Sequence, residues 1–209
     1  MAVPTRTEAL SLLLSTSPSP RLLLHVTVVA EVAAFLACRA TGAGIAVDRR
    51  LAETAALLHD VDKALPREHR LRGLGHGAGG AAWVSEAGHP ELARAIEAHP
   101  VSRLAEADAD RWLEEAPIEE RIVTYADKRA TQRVVSLDQR FERWRRRHPE
   151  YSDGLARAHA MARRLEAELC ASIGIAPTAV ERLRWVDAAI ARAQANGSLG
   201  QHLLDPSAA

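Results

Sequence analysis

Histidine and aspartate stand side by side at His59 and Asp60, at the end of an apolar run, and Lys63 follows one helical turn after the histidine. An imidazole nitrogen and a carboxylate oxygen are both ligands for divalent ions, and an ammonium is a compact charge suited to phosphate. One such dipeptide proves little. His25, His76, His99 and Asp127 add the same residue types in comparable settings.

The elements that must position these groups are helical. Ala and Leu abound, aromatics are only 4 % of the 209 residues, and no strand-like alternation of β-branched residues occurs. The spacing predicts helices near 5–15, 20–40, 48–63, 77–88, 90–98, 117–147, 152–172 and 178–195. Ser17 to Pro20 and Thr41 to Gly44 separate the early helices, and Pro117 sits where a helix tolerates proline, in its first turn. The expected architecture is all-α: a helical core over 1–148 and a helical extension over 149–209, packed on that core or on a second subunit of a homodimer.

Within these helices the polar residues lie on apolar stripes. His25 shares a face with Leu22, Val28, Val29 and Val32, and Asp127 shares one with Val123, Ala130 and Val134. His99 follows Leu92, Ala95 and Ile96, and His59 continues Ala52, Ala55 and Ala56. These are the faces that helices bury. A lone histidine there is ordinarily a satisfied core residue, and a lone aspartate is a cap or half of an ion pair. An ionised aspartate in a core needs a partner or a metal. Four such residues on four helices are the material from which bundles build carboxylate–histidine metal centres. Without cysteine ligands, a structural zinc site does not fit.

The bulk numbers exclude more than they assert. Apolar residues at 47 % allow a sizeable core, and zero formal net charge offers no global attraction to nucleic acid or an anionic membrane. Cys38 and Cys170 form no CxxC and read as small buried residues. The 22–37 stretch carries His25 and Glu31, so it reads as a core helix and not a membrane span. The Leu10–Leu14 run is too short for a secretory signal, and a cytoplasmic location is the expectation.

The strings LLHDVDKA (57–64), GHGAGGA (75–81), AIEAHP (95–100) and IVTYADK (122–128) resemble those of the HD-domain superfamily of metal-dependent phosphohydrolases. The likeness runs from about Arg21 to Arg147 and is nearest to HDIG-type members, among them bacterial symmetrical diadenosine tetraphosphate hydrolases. It implies that His25, His59, Asp60 and Asp127 hold a first metal ion. It implies that His76 and His99 hold a second, with Asp60 bridging as the central catalytic carboxylate. The cofactor would be one or two divalent ions, Fe, Mn or Zn, with Mg also admitted. Lys63 would contact a phosphate of a small nucleotide-like substrate. The chain departs from the pattern at Asp62, where HDIG members carry glycine, and at Pro100, where the dinucleotide hydrolases often have threonine.

Arg129 and Arg133 lie four apart beyond Asp127, so they either grip a distal phosphate or form a solvated face. Asp62 reads as facing outward. The basic run from Ser136 to Arg147 reads as a surface helix docked by Phe141 and Trp144, and the loop 64–75, with Arg67, Arg70 and Arg72, as a cover over phosphates. Two other functions share the same residues: a diiron oxygenase on this scaffold, and a regulatory module that binds metal or nucleotide without turnover.

Overall fold

The computed structural model describes residues 2–183. Helix α1 (Arg6–Ser15) starts with a capping box in which Thr5 and Glu8 satisfy each other's backbone N–H. Helix α2 (Pro20–Gly42) is capped by the Ser19 hydroxyl and has proline in its first position. Asp48 caps α3 (Arg49–Leu58) by accepting from Leu51 N at 2.9 Å.

Helix α2 is long and apolar enough to cross a membrane by length and composition, yet just over half of its most apolar window is buried inside the fold. Val26, Val29, Val32, Ala33 and Leu36 are inaccessible, and the helix packs on α3 and on α7 (Ile118–Lys128). The facing residues are small, Ala52, Ala55 and Ala56 on α3 and Ala126 on α7, so the three helix axes approach closely. Each fully buried Val or Leu contributes on the order of 2 kcal/mol here. Helices α4 (Ala78–Glu86) and α5 (Ala93–Ala98) close one flank, with α5 against both α3 and α7.

The second half is less regular than its spacing predicts. A short α6 (Ala109–Glu115) forms where no helix is expected. The expected helix over 117–147 is two helices, α7 and α8 (Leu137–Arg147), because the chain reverses between them. An antiparallel bridge joins Ala130 to Val134, and Val135 N donates to Arg129 O at 2.8 Å. The restart is written in the sequence, since Ser136 and Gln139 form a second capping box. The 48–63 helix likewise ends at Leu58, and Val61–Ala64 is a separate 3-10 turn.

Helix α9 (Ser152–Ser172) lies against α7, α8 and the 101–105 turn. Its Leu155, Ala158, Ala162, Leu165 and Leu169 join the same apolar cluster as α2 and α3. Of the helix expected over 178–195, only α10 (Thr178–Glu181) falls within the described residues. Cys170 is buried as expected, but Cys38 is exposed because it lies on the outer face of α2.

Arg129 couples α9 to the rest. Its guanidinium, almost fully buried, donates to the Tyr125 hydroxyl at 2.6 Å, to Glu166 Oε1 at 2.5 Å and to Val135 O at 2.9 Å. Tyr125 donates in turn to Glu166 at 2.6 Å, and burial pushes its own pKa up. Removing Glu166 takes away the nearer of the two carboxylates that pair with the buried Arg129, leaving only the longer contact to Glu181 at 3.2 Å among the described residues. Glu166→Ala is expected to lower unfolding free energy by about 3 kcal/mol, read from urea denaturation.

Candidate metal centre

Six chemistry-bearing side chains from separate elements converge at one end of α2, α3 and α7. His25 comes from α2, His59 is the C-cap of α3, and Asp60 follows it at the break. His76 precedes α4, His99 caps α5, and Asp127 is the penultimate residue of α7. The break after Leu58 is fitted to α4, whose Gly79 and Gly80 pack against this turn. A Cβ on Gly79 would stand 2.5 Å from Leu71 O, and one on Gly80 would stand 3.0 Å from Ile96 and 3.6 Å from His59 O.

Every histidine of the cluster is oriented the same way. Nδ1 faces Thr131 O at 3.0 Å in His25, Ala56 O at 2.7 Å in His59 and Ile96 O at 2.5 Å in His99. In His76 it faces Asp62 Oδ2 at 2.9 Å. A carbonyl or carboxylate oxygen only accepts, so Nδ1 carries the proton in all four rings. In the neutral ring Nε2 is then the lone pair, the form that ligates a metal.

These lone pairs gather around Asp60. Oδ2 of Asp60 lies 3.6 Å from His25 Nε2 and 3.5 Å from His59 Nε2, whereas Oδ1 lies 3.4 Å from both His76 Nε2 and His99 Nε2. Asp127 Oδ1 completes the first set, 3.2 Å from His25 Nε2 and 3.7 Å from His59 Nε2. Two groups with metal-ligand spacing therefore share one carboxylate: His25, His59 and Asp60, and Asp60, His76 and His99.

The residues fit a cation on three counts. His59 Nε2 and Asp60 Oδ1 are buried without a hydrogen bond of acceptable geometry, although Lys63 Nζ forms an ion pair with that oxygen at 2.7 Å. His76 Nε2 and His99 Nε2 face each other at 3.1 Å, and in their neutral Nδ1-protonated forms both are acceptors that a cation beside them satisfies. The donors are imidazole and carboxylate, the set suited to Fe, Mn or Zn.

Electrostatics keep the carboxylates ionised. Burial pushes the Asp60 pKa up, but His59, His99 and Lys63 outweigh it and hold the group well below the usual carboxylate range. Burial acts on Asp127 too, and Lys128, His25 and His59 overcome it. Burial drives His99 down to about 4, so its ring is neutral across the physiological range. For His59 the burial effect is overcome by Asp60 and Asp127, and its pKa rises.

Several functional groups escaped the sequence reading. Lys128 is fully buried and donates to Asp127 Oδ2 at 2.7 Å and to His99 O at 2.5 Å, which leaves Asp127 Oδ1 to face the histidines. Asp62 is not outward-facing: it is buried and holds His76. Arg140 of α8 reaches Asp127 Oδ1 at 3.4 Å. Lys128 stands beside Asp127 in the IVTYADK string, but its second partner, His99 O, is 29 positions away, and Arg140 is 13 positions from Asp127, so spacing alone marks neither role.

Lys63 lies where a phosphate-binding cation is useful, beside Asp60 and about half exposed. The Arg129–Arg133 pair does not form. Helix α7 ends at Lys128, so four-residue spacing no longer sets a common face; Arg129 turns into the core toward Glu166 and Arg133 stays exposed in the reversal. Of the loop arginines, Arg70 pairs with Glu86, and Arg72 donates to Leu65 O.

The HD domain family model matches residues 22–132, more than half of the chain and the span that holds all six converging residues. The chain belongs to the HD-domain family, and membership implies metal-dependent hydrolase-type activity. No curated protein and no solved structure matches it.

Elemental analysis of protein purified without chelator tests the centre. Two equivalents of divalent ion are expected in the wild type, one in His76→Ala, and none in Asp60→Ala, which removes the shared ligand. Protons compete with a metal for Nε2, and the raised pKa of His59 starts that competition higher in pH than at His99. Metal affinity should therefore fall as pH drops, with the His25–His59 set emptying first in a titration followed by metal release.

Proposed function

We propose that this chain is a phosphohydrolase that cleaves a phosphate ester or anhydride of a nucleotide or dinucleoside polyphosphate through a metal-activated water, in the cytoplasm. The observation that carries the reading is Asp60, one carboxylate with an oxygen on each of two imidazole pairs. A shared carboxylate suits two ions about 3.5–4 Å apart, the spacing at which a pair of metals handles phosphoryl oxygens. His25, His59, Asp60 and Asp127 would hold one, and Asp60, His76 and His99 the other. Bound there, divalent ions supply hydroxide near neutral pH and polarise the phosphoryl group.

The protein's own groups do the rest. Three buried carboxylates, Asp60, Asp62 and Asp127, are balanced by Lys63, Lys128 and Arg140. Any divalent ion added to that balance makes the site net positive and selects an anionic substrate. Lys63 is the exposed member, free to exchange Asp60 for a phosphate oxygen. Asp62 draws on the Nδ1 proton of His76 and makes its Nε2 a better donor. The nucleotide part of the substrate rests on the resemblance of the four sequence strings, and Fe or Mn as the metal rests on the donor set.

The test is a hydrolysis screen over phosphomonoesters, nucleoside polyphosphates and dinucleoside polyphosphates with added Mn or Fe. Phosphate or nucleotide release that needs the metal, and falls to background in Asp60→Ala, is expected. Activity that survives removal of both Asp60 and Asp127 sinks the reading, and oxygen uptake driven by an organic substrate would replace it with the oxygenase.

A further inference from the structure

We infer that Arg140, on α8, is a phosphate-gripping residue of this site, holding the substrate at the end opposite Lys63. This deepens the phosphohydrolase reading and rests on it.

The placement comes first. Lys63 pairs with Asp60 Oδ1, the oxygen that faces His76 and His99. Arg140 Nη2 approaches Asp127 Oδ1, the oxygen that faces His25 and His59. The two cations thus stand at the two ends of the ligand cluster, one beside each imidazole set. An anion that spans the cluster meets a cation at both ends.

Arg140 is also underused. Its side chain is only 15 % exposed, and its contact with Asp127 is long, at 3.4 Å. Nε is buried with no hydrogen-bond partner among the described residues, which is costly for a guanidinium unless another acceptor arrives. Asp127 Oδ1 has a better use as a metal ligand than as an acceptor from a donor 3.4 Å away. When that oxygen turns to a cation, Arg140 loses its only carboxylate and keeps its charge.

The guanidinium is held ready for such an acceptor. Its Cζ lies 4.2 Å from the centroid of the Trp144 ring, one helical turn further along α8. The ring packs edge-on against the buried Phe141, with centroids 5.0 Å apart. Stacking fixes the guanidinium plane without consuming a donor, so the planar fork stays free for two phosphate oxygens. The contrast with Arg129 is instructive, since its guanidinium is fully spent on Glu166, Tyr125, Val135 and Glu181.

The probe is methylenediphosphonate, a diphosphate whose bridging carbon resists hydrolysis. Its dissociation constant is measured by calorimetry on metal-loaded wild type, Arg140→Gln and Arg140→Lys, with the metal content of each determined alongside. The expected result is unchanged metal content in all three, at least tenfold weaker binding in Arg140→Gln, and an intermediate loss in Arg140→Lys, which keeps the charge but not the fork. Equal affinity in wild type and Arg140→Gln, with metal retained, overturns the inference and leaves the phosphohydrolase reading standing. Loss of metal in both variants also overturns it, because Arg140 would then serve only to hold Asp127. Failure of the metal-loaded wild type to bind the diphosphonate, together with no hydrolysis in the screen above, removes both readings.

Discussion

A buried carboxylate in contact with four imidazole nitrogens is the constraint on which the rest of this structure depends. Asp60 is ionised and almost inaccessible, and burial alone would make its charge prohibitively costly. His59, His99 and Lys63 offset that cost, and rings that carry their proton on Nδ1 can turn an Nε2 lone pair to a cation beside the carboxylate. Everything that fixes an Nδ1 proton is therefore part of the site, including the carbonyls of Ala56, Ile96 and Thr131.

That dependence explains why the irregular segments matter more than the helices they join. Ala56 and Ile96 each lie one turn before the histidine they orient, so a helix end suffices. Thr131 is different: its carbonyl comes from the reversal between α7 and α8, and Arg129 clamps that reversal from inside by bonding Val135. Arg129 is itself fixed by Glu166 of α9. Contacts thus run from α9 through Arg129 and the reversal to the His25 ring, and the described residues after Asp127 support the centre without supplying a ligand to it.

Lys128 plays the corresponding part between the two imidazole sets. By binding one oxygen of Asp127 and the backbone of His99, it ties the end of α7 to the end of α5. Burial lowers its pKa, and the Asp127 carboxylate partly offsets this. A lysine with both contacts is a rigid brace, quite unlike Lys63, whose exposure leaves it available to a ligand.

The sequence by itself determined the all-helical class, the burial of α2, and the inward faces that carry His25, His59, His99 and Asp127. Those features are written in spacing: a histidine or aspartate on an apolar stripe must face the interior, and interior faces meet. It also carried the capping box at Ser136 that divides the helix expected over 117–147, although the continuous apolar spacing masked it. The tertiary structure decided what spacing cannot encode. Once α7 stops at Lys128, adjacent residues take unrelated directions, so Arg129 goes to the core while Arg140, eleven positions further on, reaches Asp127. Asp62 likewise gained its role from a tertiary contact, since its partner His76 lies fourteen positions away on the approach to α4. Periodicity predicts a side chain's direction only while the helix continues; beyond its end, direction is set by contacts between residues far apart in the chain.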